Sequence, residues 1–301
     1  MINGMIVIFK EAGFTSHDVV AKMRGICGQK KIGHTGTLDP MATGVLPVCL
    51  GSATKLCDML ADRDKEYEAV LRLGVETDTQ DITGQVLAQR PVKITEEEAR
   101  NAALSFVGEY WQTPPMYSAL KVNGRKLYEL ARAGKEVERS ARRVMIYGLE
   151  ILECRLPEVR FRVACSKGTY IRTLCADIGE KLGCGGTMES LERIRAGGFS
   201  REDAWTLGEI QRRKDEGSLG ETVLPVDSVF TDCPVLHVGG EFCRLLENGN
   251  VLLPEQTAER ELYAPGRWVR VYRPDESFAG IYAWEERRKC YRPVKMFLEK
   301  E

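Results

Sequence analysis

The spacing of apolar residues near the N-terminus predicts a strand followed by a helix. Residues 5–9 are continuously apolar, which is typical of a buried strand. Residues 16–26 have helical spacing, and we expect Ser16 to be the N-cap of this helix. Its apolar face consists of Val19, Val20, Met23 and Ile26.

A hairpin and a second helix are predicted between residues 67 and 107. Residues 67–75 alternate as a strand, 77–84 supply turn residues and 85–88 return as a strand. Thr95 and Glu98 have the spacing of a capping box, which predicts a helix over 95–107. The apolar stripe of this helix is formed by Ala99, Ala102, Ala103 and Phe106.

The middle of the chain favours a sheet that is mixed rather than parallel. Strands at 144–154 and 159–165 precede a helix over 169–182, which ends at Gly183. Because strands and helices alternate without a regular βαβ period, we predict an α+β fold with a mixed, largely antiparallel sheet.

Beyond Cys233 the pattern changes, and helices become scarce. Short strands at 268–272, 278–284 and 291–298 are separated by glycine, proline and charged residues. We therefore predict a first domain over 1–232 and a small β-rich domain over 233–301, as the length of 301 residues also favours.

Composition narrows the class of protein. No apolar run approaches the ~20 residues of a membrane span, and residues 5–9 are too short for a signal peptide, so we expect a cytoplasmic protein with no membrane association. Ten scattered cysteines without a Cys-x-x-Cys pair and only three histidines argue against a zinc site. We expect no metal and no cofactor.

The charge balance does not by itself indicate a nucleic-acid binder. The formal net charge is −1, from 43 basic and 44 acidic side chains, whereas nucleic-acid-binding domains are usually basic. Basic residues are nevertheless clustered locally at 30–31, 121–126, 139–143 and 193–195. Each cluster considered singly is as well explained by a solvated face.

Candidate chemistry is concentrated in residues 34–47. This segment contains Asp39 and is interrupted by Gly36, Pro40, Gly44 and Pro47, so it predicts a loop that presents one carboxylate. Asp followed by Pro also fits a helix N-cap with proline in the first helical position. Local chemistry alone leaves the two interpretations equally open.

The segment around Asp39 resembles the catalytic loop of the tRNA pseudouridine synthases that act on the T-loop uridine, position 55 in tRNA numbering. Further motifs of that family follow in the same order over residues 5–230. They are Lys65-x-Tyr67, the segments 73–81 (LGVETDTQD), 112–121 (QTPPMYSALK), 124–128 (GRKLY) and 165–172 (CSKGTYIR), and Leu191 with Arg193. Position and strand content make residues 234–301 similar to the PUA domain of such enzymes.

The resemblance implies roles for individual residues. Asp39 would be the catalytic carboxylate, Arg172 would keep it charged, and Asp81 would hold Arg172 from its other side. Asp39 could attack the sugar, add to the ring or remove a sugar proton, and these routes stay open. The substrate pocket would be completed by Tyr67, Tyr170, Leu191 and His34, the last filling or supporting the stack that the flipped base leaves.

The resemblance also implies how the RNA is held. Residues 113–134 would form a thumb-like insertion, in which Lys121, Arg125 and Lys126 contact the backbone of the tRNA T-arm. Guide-RNA-dependent members of the superfamily lack this thumb. We therefore expect a stand-alone enzyme that needs no protein partner.

Two departures from the family pattern and two competing functions remain. Lys10-Glu11 replaces a Lys-Pro pair, and Glu192 replaces an arginine, which would weaken one phosphate contact.

A non-catalytic RNA-binding or RNA-folding protein would use the same pocket without turnover. An N-glycosidase or nucleoside hydrolase would need a second acid or a metal cluster, and the loop offers one acid.

Overall fold

The computed structural model describes residues 1–122 and 124–298. In chain order the strands are β1 (Gly4–Lys10), β2 (Ile32–His34), β3 (Thr43–Leu50), β4 (Lys65–Leu73), β5 (Val75–Thr77), β6 (Val86–Gln89), β7 (Gly108–Gln112), β8 (Lys121–Val122), β9 (Arg125–Lys126), β10 (Arg142–Arg155), β11 (Glu158–Cys165), β12 (Gly186–Ala196), β13 (Phe199–Ser200), β14 (Val235–His237), β15 (Trp268–Tyr272), β16 (Phe278–Glu285) and β17 (Cys290–Met296).

Helices are fewer and mostly short. The α-helices are α1 (Ser16–Cys27), α2 (Cys57–Ala61), α3 (Glu96–Leu104), α4 (Leu127–Arg132), α5 (Ile171–Lys181), α6 (Leu207–Asp215) and α7 (Cys243–Glu247). Turns of 3₁₀-helix lie at Gly51–Leu56, Arg201–Asp203, Leu219–Thr222, Val226–Phe230, Gly240–Phe242 and Pro254–Gln256. None of the helices in residues 1–122 and 124–298 combines the length and the apolar character that a membrane-spanning helix needs.

One large sheet organises the first two thirds of the chain. Its main path has the order β1-β3-β12-β4-β11-β10-β7, with β2 beside β3 and β13 beside β12. Neighbouring strands run antiparallel except β12 and β3, which are parallel. The predicted mixed, largely antiparallel α+β fold is confirmed.

The helices cover this sheet as their apolar stripes predict. Ala99, Ala102 and Ala103 of α3 pack with the apolar side of α5 against β4, β10 and β11. Thr95 caps α3 in a capping box with Glu98, as predicted. A second cluster joins α1 and α6 to β1 and β3. The site described below lies where β3, β12 and β4 are neighbours.

Two local predictions are wrong at their boundaries. The N-cap of α1 is Thr15 instead of Ser16, because the Thr15 hydroxyl accepts from the Asp18 backbone N–H in a capping box. The strand predicted over 67–75 is broken at Gly74, whose φ of +87° lies outside the extended region. The returning strand of the predicted hairpin is confirmed, but it pairs only with the short β5 after this break and not with β4.

The C-terminal part forms a second sheet, in the order β14-β15-β16-β17. Its strands match the predicted β-rich segment closely. Ile281 and Phe297 from this part share an apolar cluster with Met5, Leu56 and Phe230 of the first part. The two sheets are therefore packed against each other, and the domain boundary at residue 233 stays a prediction.

Candidate active site

The loop between β2 and β3 carries Asp39 and is fixed from several sides. The Ser16 hydroxyl accepts from the Leu38 backbone N–H at 2.9 Å, and the Gly13 N–H donates to the Pro40 carbonyl at 2.9 Å. No helix begins after Asp39, since residues 40 and 41 form a bend that leads toward β3. The N-cap interpretation of Asp39-Pro40 is therefore wrong, and the carboxylate is available for another partner.

That partner is Arg172, in the first turn of α5. Its Nε lies 3.0 Å from Asp39 Oδ2 and its Nη2 lies 3.5 Å from Oδ1. The Arg172 side chain is 7% exposed and that of Asp39 is 36% exposed. One face of the carboxylate is thus held by a buried cation, while the other remains accessible.

Arg172 is itself oriented by backbone carbonyls. It donates to the Thr79 carbonyl at 3.2 Å and to the Tyr117 carbonyl at 2.9 Å. The expected second contact with Asp81 is not formed, because Asp81 Oδ1 accepts instead from the N–H and hydroxyl of Thr83. Asp81 acts on the site through its charge, which raises the pKa of Asp39.

Burial in the pocket changes the pKa of Asp39 more than any neighbouring charge does. Burial raises the pKa of Asp39 above its usual value, and the Arg172 guanidinium opposes this rise. The charge of Lys10 acts in the same direction as Arg172. The guanidinium therefore limits a pKa increase that the pocket would otherwise impose, rather than lowering the pKa below its normal range.

Two side chains of the predicted pocket belong to the apolar cluster that also contains Leu38, the neighbour of Asp39. Tyr67 on β4 is buried at 9% exposure, and Leu191 on β12 packs into the same apolar cluster. Burial raises the pKa of both Tyr67 and Tyr170, and the charge of Asp39 raises both pKa values further. Gln112 fixes the backbone of Tyr170 by bonding both its N–H and its carbonyl.

His34 is held in an uncharged form beside the loop. Its Nδ1 accepts from the Gly36 backbone N–H at 3.2 Å, which requires that nitrogen to be unprotonated. Burial, followed by the charge of Arg193, lowers its pKa. A neutral, half-buried imidazole at this position presents a flat ring face rather than a charge.

Buried basic residues are the part of the site that sequence reasoning missed. Lys10 is fully buried, and its Nζ donates to the carbonyls of Phe14 at 2.6 Å and Pro40 at 3.0 Å. Burial lowers the pKa of Lys10 to about 8 and that of Lys65 to about 8. For Lys65 a signal existed, because it lies on the buried side of an alternating strand together with Tyr67.

Arg193 corrects the interpretation of residues 193–195 as a basic surface cluster. Its side chain is buried at 1% exposure, whereas Arg195 is exposed. The family departure at Glu192 has a local partner, since its carboxylate pairs with Arg201 at 2.6 Å. The departure at Lys10-Glu11 leaves the turn tied to Pro40 by Lys10 itself.

The predicted thumb is attached to the site at its base. The Tyr117 carbonyl bonds Arg172, and β8 pairs with β9 beyond it. Lys121 and Arg125 are exposed, and Lys126 is half-buried with its Nζ 3.3 Å from the Tyr128 hydroxyl. In the described part of the chain, His, Cys, Asp and Glu side chains form no group suited to a metal. The chemistry available is that of one carboxylate, phenols and buried cations.

Comparisons with known proteins agree along the chain. Residues 24–171 match the family described as TruB family pseudouridylate synthase (N terminal domain). Residues 172–231 match the tRNA pseudouridylate synthase B C-terminal domain. These matches end at residue 231, so the PUA-like character of residues 233–301 stays a prediction.

Curated relatives align over nearly the whole chain. The tRNA pseudouridine synthase B of Lachnoclostridium phytofermentans is 50% identical, with 99% of this chain and 100% of the relative covered. That of Alkaliphilus oremlandii is 45% identical, with 100% of both chains covered.

Solved structures share the fold. The crystal structure of a Cbf5-Nop10-Gar1 complex matches with a TM-score of 0.74 at 27% identity, covering 98% of this chain and 85% of that chain. An H/ACA RNP bound to a substrate RNA containing 2'-deoxyuridine matches with a TM-score of 0.73 at 25% identity, covering 99% and 86%. On the strength of the two family models and the full-length relatives, the chain belongs to the TruB family of pseudouridine synthases.

Proposed function

We propose that this member of the family isomerises the T-loop uridine of tRNA, position 55 in tRNA numbering, with Asp39 as its catalytic carboxylate. The chain is an isomerase that acts on tRNA. The observation that supports the role of Asp39 is its ion pair with the buried Arg172, at 3.0 Å, with the carboxylate still 36% exposed. An acid that is both fixed and accessible is what a reaction at an enclosed sugar requires.

The reaction breaks the bond from uracil N1 to ribose C1′ and forms a bond from C5 to C1′. The proton on C5 is released to solvent and N1 takes up a proton, so the product is an isomer of the original nucleotide. Asp39 can attack C1′, add to the ring or remove a proton from the sugar, and each route uses the ionised carboxylate. Arg172 supports every route, because it opposes the protonation that enclosure favours.

Access to the glycosidic bond requires the uridine to leave its stack. Extrusion costs about a few kcal/mol and is offset by contacts in the pocket. Tyr67 and Tyr170 supply aromatic surface near Asp39, and Leu191 adds an apolar wall. His34, neutral and beside the loop, is suited to stack where the base was. We assign these residues to substrate binding, with Asp81 acting through its charge.

The thumb is proposed to grip the T-arm. Lys121 and Arg125 are exposed on the β8–β9 hairpin, and the Tyr117 carbonyl just before this hairpin bonds Arg172, so phosphate contacts there would orient the tRNA next to the catalytic pair. We propose that the enzyme reads the T-arm without a protein partner and acts in the cytoplasm. The solved relatives named above are complexes with protein partners, so this proposal needs its own test.

A tritium-release assay tests the function. The purified chain alone is incubated with tRNA transcribed with [5-³H]uridine, and a matched transcript carries cytidine at position 55. We expect one equivalent of tritium from the first tRNA and none from the second, with intact chains in both. Release of free uracil would indicate an N-glycosidase, and absence of tritium release with retained tRNA binding would indicate an RNA-folding protein.

A further inference from the structure

Arg193 is a buried guanidinium beside the pocket. It lies in the middle of β12, opposite Gly44 of β3 and Tyr67 of β4. It is 1% exposed, and within residues 1–122 and 124–298 no carboxylate forms an ion pair with it. Burying an ion costs several kcal/mol unless it is compensated. The groups that compensate this charge are therefore informative.

Two of these groups are backbone carbonyls at the two ends of the loop that carries Asp39. Arg193 Nε donates to the Val45 carbonyl at 2.7 Å, and Nη2 donates to the Gly36 carbonyl at 3.2 Å. A Cβ at Gly36 would lie 3.5 Å from Nη1, so the loop passes close over the guanidinium. One planar side chain thus ties the beginning of the loop to its end.

The third group is the phenol of Tyr67, which is buried like Arg193 and stands directly opposite it in the β12–β4 pair. A guanidinium has only donors, so toward Arg193 the phenol oxygen can only accept, and its own proton points elsewhere. Burial raises the pKa of Tyr67, the charge of Arg193 lowers it, and the charge of Asp39 raises it. The phenol is therefore held between a cation on one side and the catalytic loop on the other.

We propose that Arg193 is a positioning residue for the reaction, which holds the Tyr67 hydroxyl as a hydrogen-bond donor toward the flipped nucleotide and fixes it relative to Asp39. This inference rests on the proposed function of the pocket. It assigns the buried charge to the orientation of a phenol and a loop rather than to an ion pair. Loss of Arg193 would free the Tyr67 proton to point away from the nucleotide.

A double-mutant cycle tests the coupling. Single-turnover rates are measured for Arg193→Met, Tyr67→Phe and the double variant, with the exposed neighbour Arg195→Met as the matched control. We expect Arg193→Met to slow the reaction by at least about tenfold with tRNA affinity within about threefold, and Tyr67→Phe to have little further effect in that background. Equal losses from Tyr67→Phe in both backgrounds would show that Arg193 is a structural brace and overturn the proposal.

A second measurement does not depend on activity. The ¹³Cζ signal of Tyr67, assigned by its absence in Tyr67→Phe, is titrated with pH in the wild type, in Arg193→Lys and in Arg193→Met. We expect the Tyr67 pKa to be highest in the Met variant and closer to the wild-type value in the Lys variant, which also serves if the Met variant does not fold. An unchanged Tyr67 titration would overturn the proposal. A wild type that forms no product would refute the proposed function and leave this titration interpretable.

Discussion

Replacing Arg172 by methionine removes the cation from Asp39 while keeping most of the side-chain volume. The guanidinium lies 3.0 Å from the carboxylate and is 7% exposed. In the variant the carboxylate stays in the same enclosure, where burial already raises its pKa. Its ionised form is then opposed by desolvation, with the charge of Lys10 still acting against that effect, and its orientation is no longer fixed by Arg172.

The size of the effect follows from that geometry. Opposite charges 3.0 Å apart interact by about 5 kcal/mol at an effective dielectric constant of ~20. Because the Asp39 side chain is 36% exposed, solvent screens part of this energy, and about 3 kcal/mol is the better expectation. A loss of about 3 kcal/mol from the transition state slows the reaction about 10²-fold.

Single-turnover tritium release at saturating enzyme measures this step, and filter binding measures tRNA affinity separately. The matched control is Arg143→Met, which removes a surface ion pair with Glu109 and should leave the rate unchanged. Arg172→Lys should recover part of the rate, since it restores the charge without the paired geometry. A rate within about threefold of the wild type in folded Arg172→Met would refute the reasoning, because the ion pair would then contribute nothing to catalysis.

Three further predictions follow from the loop and its neighbours. Gly44→Ala should lower the free energy of unfolding in urea by more than Gly28→Ala does, because at φ +107° a Cβ would lie 2.2 Å from a backbone oxygen of β12, whereas Gly28 has open space; equal losses would contradict this. Ser16→Ala should cost about 1–3 kcal/mol and slow the reaction, since it leaves the buried Leu38 N–H unpaired; unchanged stability would argue against this anchor. Because the pKa of Asp39 is raised, activity should fall on acidification at a higher pH than it would with an ordinary carboxyl group. Protonation of the same group makes folding more favourable as the pH drops through that pKa. A reaction rate that stays unchanged down to pH 4 would contradict the assignment.

Much of the fold could be predicted because local and tertiary preferences agree. The capping box of Thr95 and Glu98, which the sequence predicts, also marks the start of α3 in the structure. Predictions were wrong where one residue overrides its neighbours. Gly74 ends a strand that the alternation would continue, and Ser16 is used to anchor the Asp39 loop instead of capping α1.

The site could be predicted only in part, for a physical reason. Motif order placed Asp39 and Arg172 among the candidates. Their contact joins residues 133 positions apart in the chain, and it depends on how α5 lies on the sheet. Buried cations such as Lys10 and Arg193 cannot be told from surface residues in a sequence. Their charges are compensated by backbone carbonyls, which every residue type carries and which therefore leave no signal in the sequence. The absence of a contact between Asp81 and Arg172 has the same origin, since backbone oxygens occupy the guanidinium.

The most direct test of the role of Asp39 is product formation by Asp39→Asn, measured together with tRNA binding. The substitution removes the charge with almost no change in volume, and Asp232→Asn, an exposed carboxylate remote from the site in sequence, is the matched control. We expect no detectable pseudouridine from Asp39→Asn, with tRNA affinity within about tenfold of the wild type, and full activity from the control. Undiminished pseudouridine formation by folded Asp39→Asn would contradict the account.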